Sequence, residues 1–141
     1  TLLPSLPIES FVRMDGRGLR DESHHLVSDF LHRHPDDKHI LIAAANDSSA
    51  LGALDAIREL NRQPDTAIIG HDGIPEMLAE LEDPSSPVLA SISPDVQQYG
   101  PGLIHLGVLL VTGNTVPPYN YIDHKIFNRA TVAASVEAVS R

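Results

Sequence analysis

Apolar positions along this chain of 141 residues follow two alternating periods. Short apolar runs of strand length alternate with stretches in which apolar residues return every three or four positions, as on one face of a helix. Turn-forming residues such as Asp15-Gly16-Arg17-Gly18 separate them. The pattern predicts strands at 8–14, 39–44, 66–69, 88–92 and 119–127, and helices at 19–34, 48–61, 75–81 and 95–111.

The alternation of strands with helices predicts an α/β fold: a three-layer α/β/α sandwich around a mainly parallel sheet. In such sheets, ligands bind beyond the carboxyl ends of the strands. Asn46-Asp47 and His71-Asp72-Gly73 follow two consecutive predicted strands. The pattern therefore locates a site at this edge of the sheet, without naming its ligand.

Composition narrows the function classes. With 19 acidic and 10 basic residues the formal charge is −9, which argues against a nucleic-acid surface. The chain has no cysteine, which excludes thiolate metal sites, and no apolar stretch near the roughly 20 residues that span a bilayer. It also lacks a nucleophile elbow, a phosphate-binding GxxxxGK[ST] loop and an HExxH motif. We expect a protein that is not an enzyme and uses no cofactor.

The pair Asn46-Asp47 has two interpretations. Either residue can cap the helix that follows, because amide and carboxylate oxygens accept from the unpaired N–H groups of the first turn. We expect Asp47 to be the cap, which leaves the amide of Asn46 free to contact a ligand. An amide both donates and accepts, which suits a polyol hydroxyl.

Asp72 and the histidines also have alternatives. Asp72 is either a turn carboxylate that bonds its own backbone or a carboxylate that accepts sugar hydroxyls, and we expect His71 to be packed or partly exposed. His25, Asp29 and His32 share one predicted helix face. Without a second ligand cluster they do not indicate a metal site, and we expect a solvated face.

Three segments taken together resemble a known family. Asn46-Asp47 followed by Ala50-Leu51-Gly52-Ala53-Leu54, the run 70–76 (GHDGIPE), and the later LASISPDVQQYG and TGNTVPP resemble the second lobe of type I periplasmic binding proteins. These are the sugar receptors of ABC importers, and the effector domains of LacI-type repressors share their fold. The resemblance covers most of residues 10–132.

The resemblance implies a set of sugar contacts. By position, Asn46 and Asp72 match sugar-contacting residues of the importers. A third family contact, an amide after the strand at 88–92, falls on Pro94, or on Asp95 if the register slips. A fourth, from the loop after the first strand, falls near 15–18, where the candidates are Arg13, Asp15 and Arg17.

The resemblance also implies partners and a domain division. Residues 1–94 correspond to the second lobe, 95–124 to a crossover segment that completes the first lobe, and 125–141 to a return strand and tail. Because most of the first lobe has no counterpart here, we expect either a fragment of a longer chain or a homodimer in which the crossover helix packs against a partner. An importer component would also contact an ABC permease.

Three functions remain open. The preferred one is sugar binding for an ABC importer, in the periplasm or outside the cell. The second is the effector domain of a cytoplasmic LacI-type regulator. Regulators commonly carry an acidic residue after the GxD aspartate and an L-T-T-V segment at the crossover, whereas this chain has Gly73 and Ala90-Ser91-Ile92. The third, an enzyme of flavodoxin-like architecture, is disfavoured because no catalytic set appears.

Overall fold

The computed structural model describes residues 6–94, 96 and 99–133. The described part of the chain is an α/β unit in which one mixed, mostly parallel sheet of four strands is flanked by helices, and residues 129–133 are also helical. The helices are α1 (Arg20–Arg33), α2 (Asp47–Glu59), α3 (Pro75–Glu82) and α4 (Tyr99–Val111). The strands are β1 (Ile40–Ala43), β2 (Thr66–His71), β3 (Val88–Ser93) and β4 (Lys125–Asn128). The predicted fold class is confirmed.

The sheet has the order β1-β2-β3-β4. The first three strands run parallel, with Ile40 opposite Thr66 and Gly70 opposite Ser91. β4 is antiparallel to β3, with Ser93 opposite Lys125. The carboxyl ends of β1, β2 and β3 therefore lie at one edge of the sheet.

Local signals explain where the helices begin and end. α2 starts after Asn46, whose side chain accepts from Ser49 N–H, and it is followed by Asn61 at a φ of 54°, the left-handed conformation that commonly ends a helix. α3 begins with Pro75, which has no N–H to leave unpaired in a first turn.

The core lies between α2 and α3 and one face of the sheet. Its largest fully buried apolar side chains are Leu54, Ile57, Ile68, Met77 and Val88, together with Leu81. α1 packs against α2, where Gly52 lies so close to the carbonyl of Arg20 that an added Cβ would overlap it. On the opposite face of the sheet, Leu41 and Ile126 are exposed.

Ion pairs join the helices around this core. Arg20 donates to Asp55 over 2.7 and 3.1 Å, and this hydrogen bonding raises the pKa of Arg20. Arg58 of α2 donates to both carboxylate oxygens of Glu80 in α3, over 2.9 and 2.7 Å. That bidentate hydrogen bond raises the pKa of Arg58 and fixes the two helices relative to each other.

Two predicted strands differ from the structure. Residues 8–10 form a 3-10 helix and residues 11–16 have no regular structure, so the predicted strand at 8–14 is wrong. An extended segment becomes a strand only beside another strand, and none of β1–β4 pairs with this one. Phe11 and Val12 of the segment are exposed. The strand predicted at 119–127 is confined to its end, because the ladder of β3 with β4 runs only from Ser93 to Ala90.

The remaining predicted elements are confirmed with small shifts of their ends. The helix predicted at 95–111 is observed from Tyr99, and residues 95, 97 and 98 lie outside the described residues. α4 has no buried residue. No helix among the described residues is long and apolar enough to cross a membrane.

Candidate functional site

Two loops that follow β1 and β2 form the candidate site at the carboxyl edge of the sheet. The first carries Asn46 and Asp47 into α2, and the second carries His71 to Ile74 into α3. Ser91, near the end of β3, lies beneath the second loop, because its hydroxyl accepts from Gly73 N–H over 3.0 Å. The order of the sheet places these three strand ends side by side.

Asn46, not Asp47, caps α2, so the predicted assignment of the cap to Asp47 is wrong. Asn46 Oδ1 accepts from Ser49 N–H over 2.9 Å, and its Nδ2 donates to the carbonyl of Gly18 over 3.1 Å. The reason is geometric: Asn46 has an extended backbone, and Asp47 is the first helical residue, turned toward the sheet. The amide nitrogen and the amide oxygen of Asn46 each retain one further hydrogen-bonding position, since an amide nitrogen donates twice and an amide oxygen accepts twice.

Asp47 is a fully buried carboxylate that bonds across the sheet. Its Oδ2 accepts from Gly73 N–H over 2.7 Å and from Ile74 N–H over 2.9 Å. The hydroxyl of Ser91 donates to Oδ1 over 2.7 Å and lies 2.9 Å from Oδ2. Gly70 leaves room for this carboxylate, because a Cβ there would overlap Asp47 Oδ1. The residue expected to be a cap is instead the link between the first and second loops.

Asp72 lies exposed at the tip of the second loop. Its φ is 130°, a backbone conformation rarely adopted by residues other than glycine. Its N–H donates to the carbonyl of Ile92 over 2.9 Å. One carboxylate oxygen lies 3.1 Å from His71 Nδ1, and the carboxylate is otherwise open to solvent.

His71, which precedes Asp72, and His124 add aromatic surface to this edge. His71 is partly exposed, and its ring centroid lies 6.0 Å from that of His124. His124 directly precedes β4, so the pair extends the edge from β2 toward β4. His124 was not predicted, because nothing in its sequence position indicates that it lies close to His71.

The loop at 15–18 reaches the same edge through Asn46. Asp15 Oδ1 accepts from the N–H of Arg17 over 3.1 Å, which closes the turn before Gly18. The carbonyl of Gly18 then accepts from Asn46. The turn that contains Asp15 and Arg17 therefore leads directly to Gly18, which contacts Asn46, while Arg13 lies on the exposed segment before the turn.

The third predicted ligand contact is not found among the described residues. Pro94 is buried and has no polar side-chain atom, and Asp95 lies outside the described residues. Among the described residues no three His, Asp or Glu side chains form a group that could hold a metal ion. His25 and Asp29 are exposed on α1, and His32 Nδ1 lies 2.8 Å from the carbonyl of Ser28.

The edge is an exposed surface, with Asp72 at the tip of its second loop. Two surface depressions of the described chain, each about 440 Å³, lie elsewhere: one beside Leu81 and Arg129, the other beside His24 and Arg58. We favour the strand-end edge over these two depressions, because it combines an amide with residual hydrogen-bonding capacity and an exposed carboxylate whose backbone N–H is held by β3.

The fold of the chain is similar to that of several solved structures. An ABC transporter solute-binding protein from Agrobacterium vitis with bound allitol matches 84% of the chain at 28% identity and a TM-score of 0.76. A second from Agrobacterium vitis, bound to α-D-tagatopyranose, matches 91% at 15% identity and a TM-score of 0.79. One from Actinobacillus succinogenes 130z with bound D-allose matches 84% at 18% identity and a TM-score of 0.74.

These proteins are longer than the chain. The matches cover 41%, 42% and 41% of their lengths respectively, so the chain spans about two fifths of each. No family model and no curated protein matches the sequence. The structural neighbours are ABC sugar solute-binding proteins of the type I periplasmic binding protein fold, and the chain has the fold of one lobe of such a protein.

Proposed function

We propose that the chain binds a sugar as the second lobe of the solute-binding component of an ABC importer, and that it performs no catalysis. The observation that carries the proposal is the edge itself: Asn46 and Asp72 end adjacent parallel strands on a fold shared with solved sugar-binding proteins. An exposed carboxylate accepts two hydroxyls, and an amide donates to one and accepts from another. That set of groups matches a polyol.

The open edge supports a division of the polypeptide into lobes. In this proposal residues 1–94 correspond to the lobe that supplies one wall of the site, 95–124 to the crossover segment, and 125–141 to a return strand and tail. The opposite wall comes from a first lobe in a longer polypeptide or from a second copy. The apolar, unburied helix α4 supports this division, because such a surface is normally covered.

Gly73 favours the importer over the LacI-type regulator. Its φ is 74°, and a Cβ there would lie 3.0 Å from Ser93 Cβ and 3.2 Å from the ring of Phe127. The acidic residue common in regulators at this position would be strained by the backbone and crowded by both neighbours. The importer assignment implies a periplasmic or extracellular location and an ABC permease as partner.

Calorimetry of the full-length protein against D-allose, D-tagatose, allitol, D-galactose and D-ribose tests the proposal. We expect Asp72→Ala to weaken binding at least about hundredfold, because a hydrogen bond to a charged group contributes about 1.5–3 kcal/mol and this carboxylate would make two to the sugar. Asp29→Ala removes an exposed carboxylate of α1 far from the edge and is the matched control. Wild-type binding by Asp72→Ala would refute the site.

Asn46 needs a variant that keeps the cap. Asn46→Asp retains the oxygen that accepts from Ser49 N–H but removes both amide N–H groups. We expect the affinity to fall about tenfold, with a melting temperature within a few degrees of wild type. Unchanged affinity in Asn46→Asp would show that the amide N–H of Asn46 does not contact the ligand.

A further inference from the structure

The carboxylate of Asp47 is buried, ionisable and absent from the ligand contacts proposed above. All of its hydrogen bonds go to one loop and to the serine beneath it, so it makes no bond to the turn of α2 that it begins. Burying a carboxylate is unfavourable unless several donors compensate. Here two backbone N–H groups and one hydroxyl do so, and all three lie around Asp72.

These bonds fix the backbone on both sides of Asp72. Asp72 N–H is held by the carbonyl of Ile92, and the next two N–H groups are held by Asp47. Ser91 accepts from Gly73 N–H and donates to Asp47, which completes a closed set of bonds. With three successive N–H groups held in place, Asp72 is confined to its φ of 130°.

A backbone in this region costs about 1–3 kcal/mol and persists only where the surroundings over-determine it. We propose that Asp47, with Ser91, is a positioning residue that holds Asp72 in this strained conformation and so directs its carboxylate outward to the ligand. The role rests on the proposed sugar-binding function, but its structural half can be measured without any sugar. Gly70 is part of the device, because only a residue without a Cβ leaves space for Asp47.

The decisive variant is Asp47→Asn, which keeps the shape of the side chain but removes its charge and leaves one acceptor oxygen instead of two for the backbone N–H groups and the Ser91 hydroxyl. Ser91→Ala is the milder variant, since it removes only the hydroxyl. Ile57→Val removes a methylene from another fully buried residue of α2 and is the control for a general loss of stability.

Two readouts separate positioning from a purely structural role. The first is the three-bond HN–Hα coupling of Asp72 without ligand, which distinguishes a φ near 130° from ordinary extended backbone. The second is affinity for the sugars named above, measured where each variant is fully folded. We expect Asp47→Asn to change the coupling and weaken binding at least about tenfold, Ser91→Ala to do so less, and Ile57→Val to do neither.

A double variant completes the test. If Asp47 acts through Asp72, Asp47→Asn adds no further loss of affinity in an Asp72→Ala background. A wild-type coupling and wild-type affinity in Asp47→Asn would overturn the proposal, as would an equal loss in both backgrounds. If the wild-type protein binds none of the sugars yet Asp47→Asn changes the coupling, the positioning of Asp72 stands and the sugar-binding function fails.

Discussion

Helices α2 and α4 have the same length and opposite surroundings. Each has 13 residues, but eight residues of α2 are buried and none of α4. α2 lies between α1 and the sheet, whereas α4 packs closely on no other element of the described chain. An apolar helical sequence therefore predicts a helix and a need for burial, but it does not predict which surface buries that helix.

The glycines of the two helices sharpen this contrast. A glycine inside a helix costs about 0.5–1 kcal/mol relative to alanine. In α2 the close approach of α1 at Gly52 offsets that cost. In α4, a Cβ at Gly100, Gly102 or Gly107 would have no atom within 4 Å beyond its chain neighbours and the adjacent backbone of its own helix. Nothing in the described chain compensates for them.

The largest expected difference lies between Leu54→Ala and Leu103→Ala. Leu54 is fully buried in α2, so its truncation leaves a cavity and costs about 3 kcal/mol in the free energy of unfolding. Leu103 in α4 is 68% exposed, so the same change costs less than about 0.5 kcal/mol. Urea unfolding of the 141-residue chain measures both. An equally large loss for Leu103→Ala would mean that α4 is covered in solution.

Gly52→Ala and Gly107→Ala form the second pair. A methyl group at Gly52 would push against the backbone of Arg20, and we expect a loss of about 2 kcal/mol. At Gly107 the added methyl group meets nothing, so we expect unchanged or slightly raised stability. Thermal unfolding of the two variants checks this, and a clear loss for Gly107→Ala would indicate a close contact on α4.

The smallest expected difference is electrostatic. α4 carries no Asp, Glu, Lys or Arg, so it has no carboxylate to contribute in this way. Asp83, which directly follows α3, accepts hydrogen bonds from Ser85, and these lower the pKa of Asp83 below 3.8. A carboxyl with a lowered pKa binds fewer protons in the folded state than in the unfolded state. It therefore adds stability above the ordinary pKa, and this stability is lost as the pH falls through the folded value.

Asp83→Asn should remove this contribution. We expect its melting temperature to lie slightly below that of wild type at neutral pH, with the gap narrowing as the pH falls below 3.8. Melting curves from pH 7 to pH 3 test the prediction. A gap that stays constant over this range would mean that Asp83 contributes nothing through its charge.

The sequence correctly predicts those helices and strands whose packing partners are also close along the chain. The elements between 40 and 93 follow each other as strand, helix and strand, so their periods and turns predict them. The strand prediction at 8–14 was wrong because strand formation depends on a neighbouring strand. Periodicity reports which residues avoid water, not whether a partner stands beside them.

The structure places Asn46 and Asp72 at the strand ends as expected, and their contact with a ligand stays a prediction, but the helix cap is Asn46 and not the predicted Asp47. Sequence shows that Asn46 and Asp47 are neighbours and that either can cap. It does not show that helix formation begins at Asp47 and turns its carboxylate over β2. A signal existed in the small residues Gly70 and Ser91 on the next two strands, which make room and supply a donor.

The held backbone at Asp72 has a thermodynamic consequence for binding. A flexible loop that becomes ordered around a ligand loses conformational entropy at that moment, and the affinity is reduced accordingly. With Asp72, Gly73 and Ile74 already anchored by hydrogen bonds, that entropy is lost during folding. Under the proposed function, recognition at this edge is preorganised, and differences in affinity among sugars should follow the placement of their hydroxyl groups.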